Sequence, residues 1–85
     1  MVEFSFTVRD PIGIHARPAG MLAKEAKKYV SRITVSLNGK TADASRLVAL
    51  MGLGAKAGAE LLIRAEGEDE TAAAEGILSF LEKNL

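Results

Sequence analysis

VEFSFTVRDPIGIHARPAGMLAKEAKKYV, residues 2–30, changes its period halfway along. Val2, Phe4, Phe6 and Val8 alternate with Glu3, Ser5, Thr7 and Arg9, a period of two that puts the apolar side chains on one face of a strand. Asp10-Pro11-Ile12-Gly13 ends that strand, because proline cannot extend a central strand and glycine permits a turn. Beyond it the period becomes helical: Ala19, Leu22, Ala23, Ala26 and Val30 fall on one stripe of an α-helix. Pro18 fits only near the front of that helix, where a missing N–H would have had no partner anyway. The pattern therefore predicts a helix from about Ala16 to Val30, with His15 at its N-terminal boundary.

The remainder of the chain supplies the rest of a sheet. Ile33, Val35 and Leu37 alternate with polar residues and lead into Asn38-Gly39, a strong hairpin signal, with a short second arm from about Lys40 to Ala44. Leu47, Leu50, Met51 and Leu53 suggest a short helix stopped by Gly52 and Gly54. Leu61, Ile63 and Ala65 make a fourth strand. The acidic run Glu66 to Glu70 then opens a last helix, where negative charge suits the positive end of the dipole, and Ala74, Ile77, Leu78, Leu81 and Leu85 form its buried stripe. The order is βαββαβα without repeat or linker. The expected fold is an α+β two-layer open-faced sandwich, a four-stranded, mostly antiparallel sheet covered on one face by three helices, in a single domain over 1–85.

Composition bounds the function classes. The chain has 85 residues, 48% hydrophobic and 26% charged, the balance of a small soluble domain with one core. The absence of cysteine removes disulfides and thiolate metal sites and fits a reducing compartment. The N-terminal stretch, with an early acid and alternating polar residues, does not read as a signal peptide, and no apolar run is long enough for a membrane span. The expectation is a cytoplasmic protein without stable membrane association. Charge is uneven: nine Lys/Arg against four Asp/Glu in residues 1–56, then two against seven in 57–85. Such asymmetry suits a basic face that meets an acidic partner, and equally suits solvated charge on opposite sides of a small domain.

The chemistry concentrates in GIHARPAG, residues 13–20, which holds the only histidine. A helix N-terminus offers unpaired N–H groups and the positive end of the macrodipole, here at Ala16, Arg17 and Pro18. Arg17 adds a guanidinium suited to phosphate oxygens. His15 in that setting can bind an anion, act as a base, carry a phosphoryl group on a ring nitrogen, or simply pack at a helix start. Met21 points away from the buried stripe, among Arg17, Lys24 and Lys28, and Val48 lies off the stripe of the second helix. An adaptable apolar side chain ringed by cations is what a docking surface offers.

With these motifs the chain resembles the HPr family, the histidine-containing phosphocarriers of the bacterial phosphoenolpyruvate:sugar phosphotransferase system. The likeness rests on GIHARPAG, the NGK hairpin at 38–40, LVALMGLG at 47–54, KAGAE at 56–60 and AEGEDE at 65–70, and so covers nearly the whole chain. It implies a carrier rather than an enzyme, without cofactor or metal. His15 would take a phosphoryl group on Nδ1 from phosphorylated enzyme I, itself charged by phosphoenolpyruvate, and pass it to a histidine on the IIA domain of a sugar permease, with Arg17 as the active-site arginine. Both partners would dock on a face of the first two helices: Gly20, Met21, Lys24, Lys27, Leu47, Val48 and Met51. The protein is expected to be a monomer.

Two positions depart from the family pattern. Position 12, usually a small polar residue able to bond near the histidine, is Ile12, which implies a less firmly oriented imidazole. Position 46, where a Gram-positive branch carries a serine phosphorylated by an ATP-dependent kinase, is Arg46; loss of that regulation is the direct reading, and Ser45 as a substitute acceptor the lesser one. Other readings are a regulatory or nitrogen-branch paralogue with the same chemistry, an acid–base enzyme and a small nucleic-acid module. The enzyme reading lacks partner groups, since Asp10 and Glu25 are expected across a turn and off the face. The nucleic-acid reading lacks a stacking platform: there are three Phe and one Tyr, and Phe4 and Phe6 belong to the core.

Overall fold

Cross-strand pairing sorts the side chains into an inner and an outer face. The computed structural model describes residues 1–85. It contains β1 (Val2–Thr7), α1 (Ala16–Ala26), β2 (Arg32–Leu37), β3 (Lys40–Asp43), α2 (Leu47–Gly52), β4 (Glu60–Glu66) and α3 (Glu70–Asn84). The strands form one sheet in the order β1-β4-β2-β3, and every pairing is antiparallel rather than mostly so. Phe4 pairs with Ile63, Ile63 with Val35 and Val35 with Ala42, an apolar row that crosses all four strands under the helices. On the other face, Glu3 accepts a 2.8 Å hydrogen bond from Arg64 Nε, and the Ser36 and Thr41 hydroxyls meet at 3.0 Å. A one-residue slip would exchange the two faces, so burial fixes the register. Asn38 (φ 50°) and Gly39 (φ 84°) close the β2–β3 hairpin in the left-handed conformation that such a two-residue turn needs.

The helices cover the apolar face. Leu22 of α1, Leu50 of α2 and Ile77 and Leu81 of α3 are fully buried, together with Val8, Val35, Leu61 and Ile63. α1 packs against both α2 and α3, while α3 lies on β1 and β4. No helix is long and apolar enough to cross a membrane.

One prediction about burial fails. α1 ends at Ala26, and Val30, assigned to its buried stripe, is 77% exposed. The cause lies elsewhere in the chain. The N–H groups of Val30 and Ser31, which a continuing helix would use, are taken by the Asp69 carboxylate at 3.0 and 2.9 Å, and the Ser31 hydroxyl donates to it as well. The preceding amides close the helix with shorter-range bonds, Lys28 N–H to the Glu25 carbonyl and Tyr29 N–H to that of Ala26. In α2, Leu47 and Met51 are 39% and 43% exposed, and only Leu50, with Leu53 just beyond, is buried. A six-residue helix makes about one and a half turns, so a single row is all it can bury.

Asp69 is the N-cap position of α3, yet its side chain makes no cap bond because it reaches across to the α1–β2 loop. From the predicted acidic opening only Glu70 lies in the first turn; its carboxylate accepts from the Gly67 N–H and pairs with the Met1 amine at 2.7 Å.

Candidate functional site

The backbone before His15 is held in one path. Gly13 has φ +81°, and a Cβ built on it would stand 2.2 Å from the Ala55 carbonyl oxygen and 2.6 Å from Lys56 Cα. Only glycine lets the two segments approach this closely. The Ile14 N–H donates to that same Ala55 carbonyl at 3.0 Å, and the Ile14 side chain is buried. Asp10 closes the turn from the other side: its carbonyl accepts from Gly13 N–H at 3.0 Å and its Oδ1 from Ile12 N–H at 2.9 Å.

His15 is the N-cap residue of α1, extended at φ −116° and ψ −177°, half-buried, with no side-chain hydrogen bond to the helix. Its carbonyl accepts from Ala19 N–H at 3.0 Å. The N–H groups of Ala16 and Arg17 find no acceptor within the protein, so two donors stand open beside the imidazole. Pro18, grouped with them on sequence, cannot serve: it has no N–H, and its ring is buried in the first turn. The usable anion-binding end is therefore Ala16 and Arg17.

A cavity of about 260 Å³ opens at this helix end, lined by Asp10, His15, Arg17, Pro18, Met21, Lys83 and Asn84. Three of these were not anticipated. Asp10 was expected off the site, but the turn in which it accepts both amides makes it part of the cavity wall. Glu25 does lie apart, engaged with Lys28 and Tyr29. Lys83 and Asn84 arrive on the last turn of α3, which is fastened there. The Leu85 carbonyl accepts from Arg9 N–H and from Asp10 N–H (2.8 Å), and Arg9 Nη2 donates to the Glu82 carbonyl at 2.7 Å. The one sequence signal was the α3 stripe, which leaves Lys83 on the outer side of that turn; the meeting with His15 is purely tertiary.

Apolar and cationic side chains are exposed on α1 and on the helix packed against it. Met21 (43% exposed) and Lys24 are open on α1; Leu47, Val48 and Met51 are open on α2, the helix packed beside it. Gly20 is half-buried, and nothing lies within 4 Å of where its Cβ would be, so another backbone has room to approach. Lys27 lies one turn beyond Lys24. It is the C-cap residue of α1, about 18 Å from His15 by helical rise, and lines a different cleft with Ser31, Arg32, Asp43 and Ser45. Ile12 is exposed and offers His15 no polar contact.

Arg46 is the N-cap residue of α2 and makes no side-chain cap bond. Ser45 beside it is engaged: its hydroxyl and its N–H both donate to Asp43 Oδ1, at 2.6 and 2.9 Å. These bonds, above all the hydroxyl's, hold the Asp43 carboxyl below its usual range, and the Arg32 and Arg46 charges add to the effect.

Residues 2–83 match the family model described as the PTS HPr component phosphorylation site. The chain belongs to the HPr family. It is 41% identical to the phosphocarrier protein HPr of Mycoplasma pneumoniae over 85 residues, covering 99% of this chain and 97% of the relative. Among solved structures it is similar to a mycoplasma histidine-containing phosphocarrier protein, with a TM-score of 0.94 at 36% identity over 96% of this chain and 93% of that one. An HPr dimer from Thermoanaerobacter tengcongensis also matches, with a TM-score of 0.78 at 31% identity over 98% and 95% of the two chains. The family's βαββαβα sandwich is thus the fold of this chain, and its members are phosphocarriers of the phosphotransferase system, carriers rather than enzymes.

Proposed function

We propose that His15 is the phosphoryl acceptor of a single-domain, cytoplasmic carrier, taking the group from phosphorylated enzyme I and giving it to IIA domains of sugar permeases. The observation that carries this reading is the half-buried, unbonded imidazole at the N-cap of α1, beside the open N–H groups of Ala16 and Arg17 and the Arg17 guanidinium. In the forward step the lone pair of neutral His15 Nδ1 attacks phosphorus. The P–N bond to the donor histidine breaks, and its electron pair returns to the donor ring. The chain gains one phosphoryl group, which the reverse chemistry passes to the next histidine. Negative charge spreads over the three equatorial oxygens in the transition state, where fixed N–H dipoles and a guanidinium stabilise it most.

The exposed side chains of α1 and α2, Met21, Lys24, Leu47, Val48 and Met51 with the clearance over Gly20, are the docking surface for both partners in this reading. Lys27 sits at its far margin. The test is incubation with phosphoenolpyruvate and enzyme I. The chain should gain one phosphoryl group, labile in acid and stable in alkali, and His15→Ala should gain none while losing about 1 kcal/mol of stability or less, as surface substitutions do. Phosphorylation retained in that variant would overturn the assignment. The carrier works as a monomer in this reading; sedimentation before and after phosphorylation decides between that and a dimer like the one known from T. tengcongensis.

A further inference from the structure

We infer that Lys83, from the last turn of α3, is a second cation, beside Arg17, for the phosphoryl group on His15; this rests on the acceptor reading above. Lys83 shares the 260 Å³ cavity with His15 and Arg17. The ion pairs of the protein are Met1–Glu70, Lys28–Glu25 and Arg64–Glu3, so Lys83 and Arg17 are both uncommitted. Asp10 is the only acidic residue lining the cavity, and one of its carboxylate oxygens already accepts the Ile12 N–H. Two free cations and two open N–H groups against one carboxylate leave the cavity short of negative charge. A phosphoryl group brings between one and two such charges.

The platform beneath Lys83 is firm. Leu81 and Leu85 are buried on either side of it, and the carbonyls of Glu82 and Leu85 are tied to Arg9 and to the Asp10 N–H. The Lys83 side chain is itself exposed, and it also borders a neighbouring cleft with Glu25, Ser79 and Phe80. A lysine on a four-carbon stem can move between the two. The phosphoryl charge draws it to the His15 side. Lys83 would in any case favour a helix C-terminus by opposing the dipole, so the test must separate that structural role from contact with the phosphoryl group.

The experiment uses the full chain, charged by phosphoenolpyruvate and enzyme I, as wild type, Lys83→Gln and Lys83→Arg. ³¹P NMR follows the titration of the phosphoryl group, and the fraction phosphorylated is measured at a fixed ratio of phosphoenolpyruvate to pyruvate. Removing a nearby cation should raise the second phosphoryl pKa by about half a unit and lower the phosphorylated-to-free ratio about threefold, with the difference shrinking in high salt. Lys83→Arg should restore both. Identical ³¹P titrations in wild type and Lys83→Gln overturn the inference, as does a lowered melting temperature with no change in the phosphoryl group. If the wild-type chain takes no phosphoryl group at His15, the acceptor reading itself falls and takes this one with it. Normal charging with an indifferent Lys83 overturns this one alone.

Discussion

Arg17 and Met21 stand four positions apart on the same exposed face of α1, yet they are expected to fail in different ways. Arg17→Ala removes a charge that meets phosphate oxygens, so transfer should fall even at saturating partner, by on the order of 2–4 kcal/mol in the barrier. Met21→Glu leaves His15 and the open N–H groups in place but puts an acid into the patch. Patch charges act mainly on encounter and affinity. Raising enzyme I concentration should therefore recover most of its rate, and the defect should weaken in high salt. Steady-state transfer at varied enzyme I concentration separates the two, and reversed behaviour would reverse the roles. At position 46 an arginine occupies the N-cap position of α2 without a side-chain cap bond, and the neighbouring Ser45 hydroxyl is spent on Asp43 at 2.6 Å. Incubation with an HPr kinase and ATP should leave the chain unmodified. A stoichiometric phosphoserine on peptide mapping would show that Ser45 escapes its carboxylate.

The turn before α1 decides where the helix starts and hence where His15 stands. Proline in the first turn and the apolar stripe of Ala19, Leu22, Ala23 and Ala26 made the helix and its start legible in the sequence. The glycine at 13 was readable only as a turn residue; its closeness to Ala55 depends on a segment far along the chain. Gly13→Ala meets both a left-handed φ and a backbone oxygen at 2.2 Å, and neither can be relieved by turning a side chain. We expect a loss of about 2–4 kcal/mol, seen as a lower urea midpoint with an unchanged slope. Transfer should fall as well, since the shift propagates directly to His15. A variant of wild-type stability would mean that the two segments part easily. The other end of α1 was misread for a related reason, because periodicity runs on to Val30 while the amides there are bound by Asp69.

At the scale of the whole molecule, Asp69 joins the α1–β2 loop to the start of α3. The Ser31 hydroxyl, foremost, and the N–H groups of Val30 and Ser31 hold its carboxyl below the usual value near 3.8. A carboxyl with a lowered folded-state pKa binds its proton more readily in the unfolded chain. Its contribution is therefore present above about pH 4 and is lost as pH falls through the folded value. Asp69→Asn should lower the urea midpoint at pH 7, and the gap to wild type should narrow progressively as pH falls below about 4 and Asp69 takes up its proton. A gap of constant size across that range would show that the carboxylate's charge is not what joins the two elements.

The alternation of strands, the stripes of α1 and α3 and the Asn38-Gly39 turn are local patterns. Because burial of an apolar face enforces them, the sequence alone determined the element order, the sandwich and the position of His15 at a helix mouth. What it could not settle were meetings between distant segments: Asp69 ending α1, Asp10 lining the cavity, Lys83 arriving there on α3. Polar side chains have no period to betray their partners. Where each one goes depends on which backbone amides and charges the packed elements leave unsatisfied within a few ångströms, and only the tertiary structure fixes that.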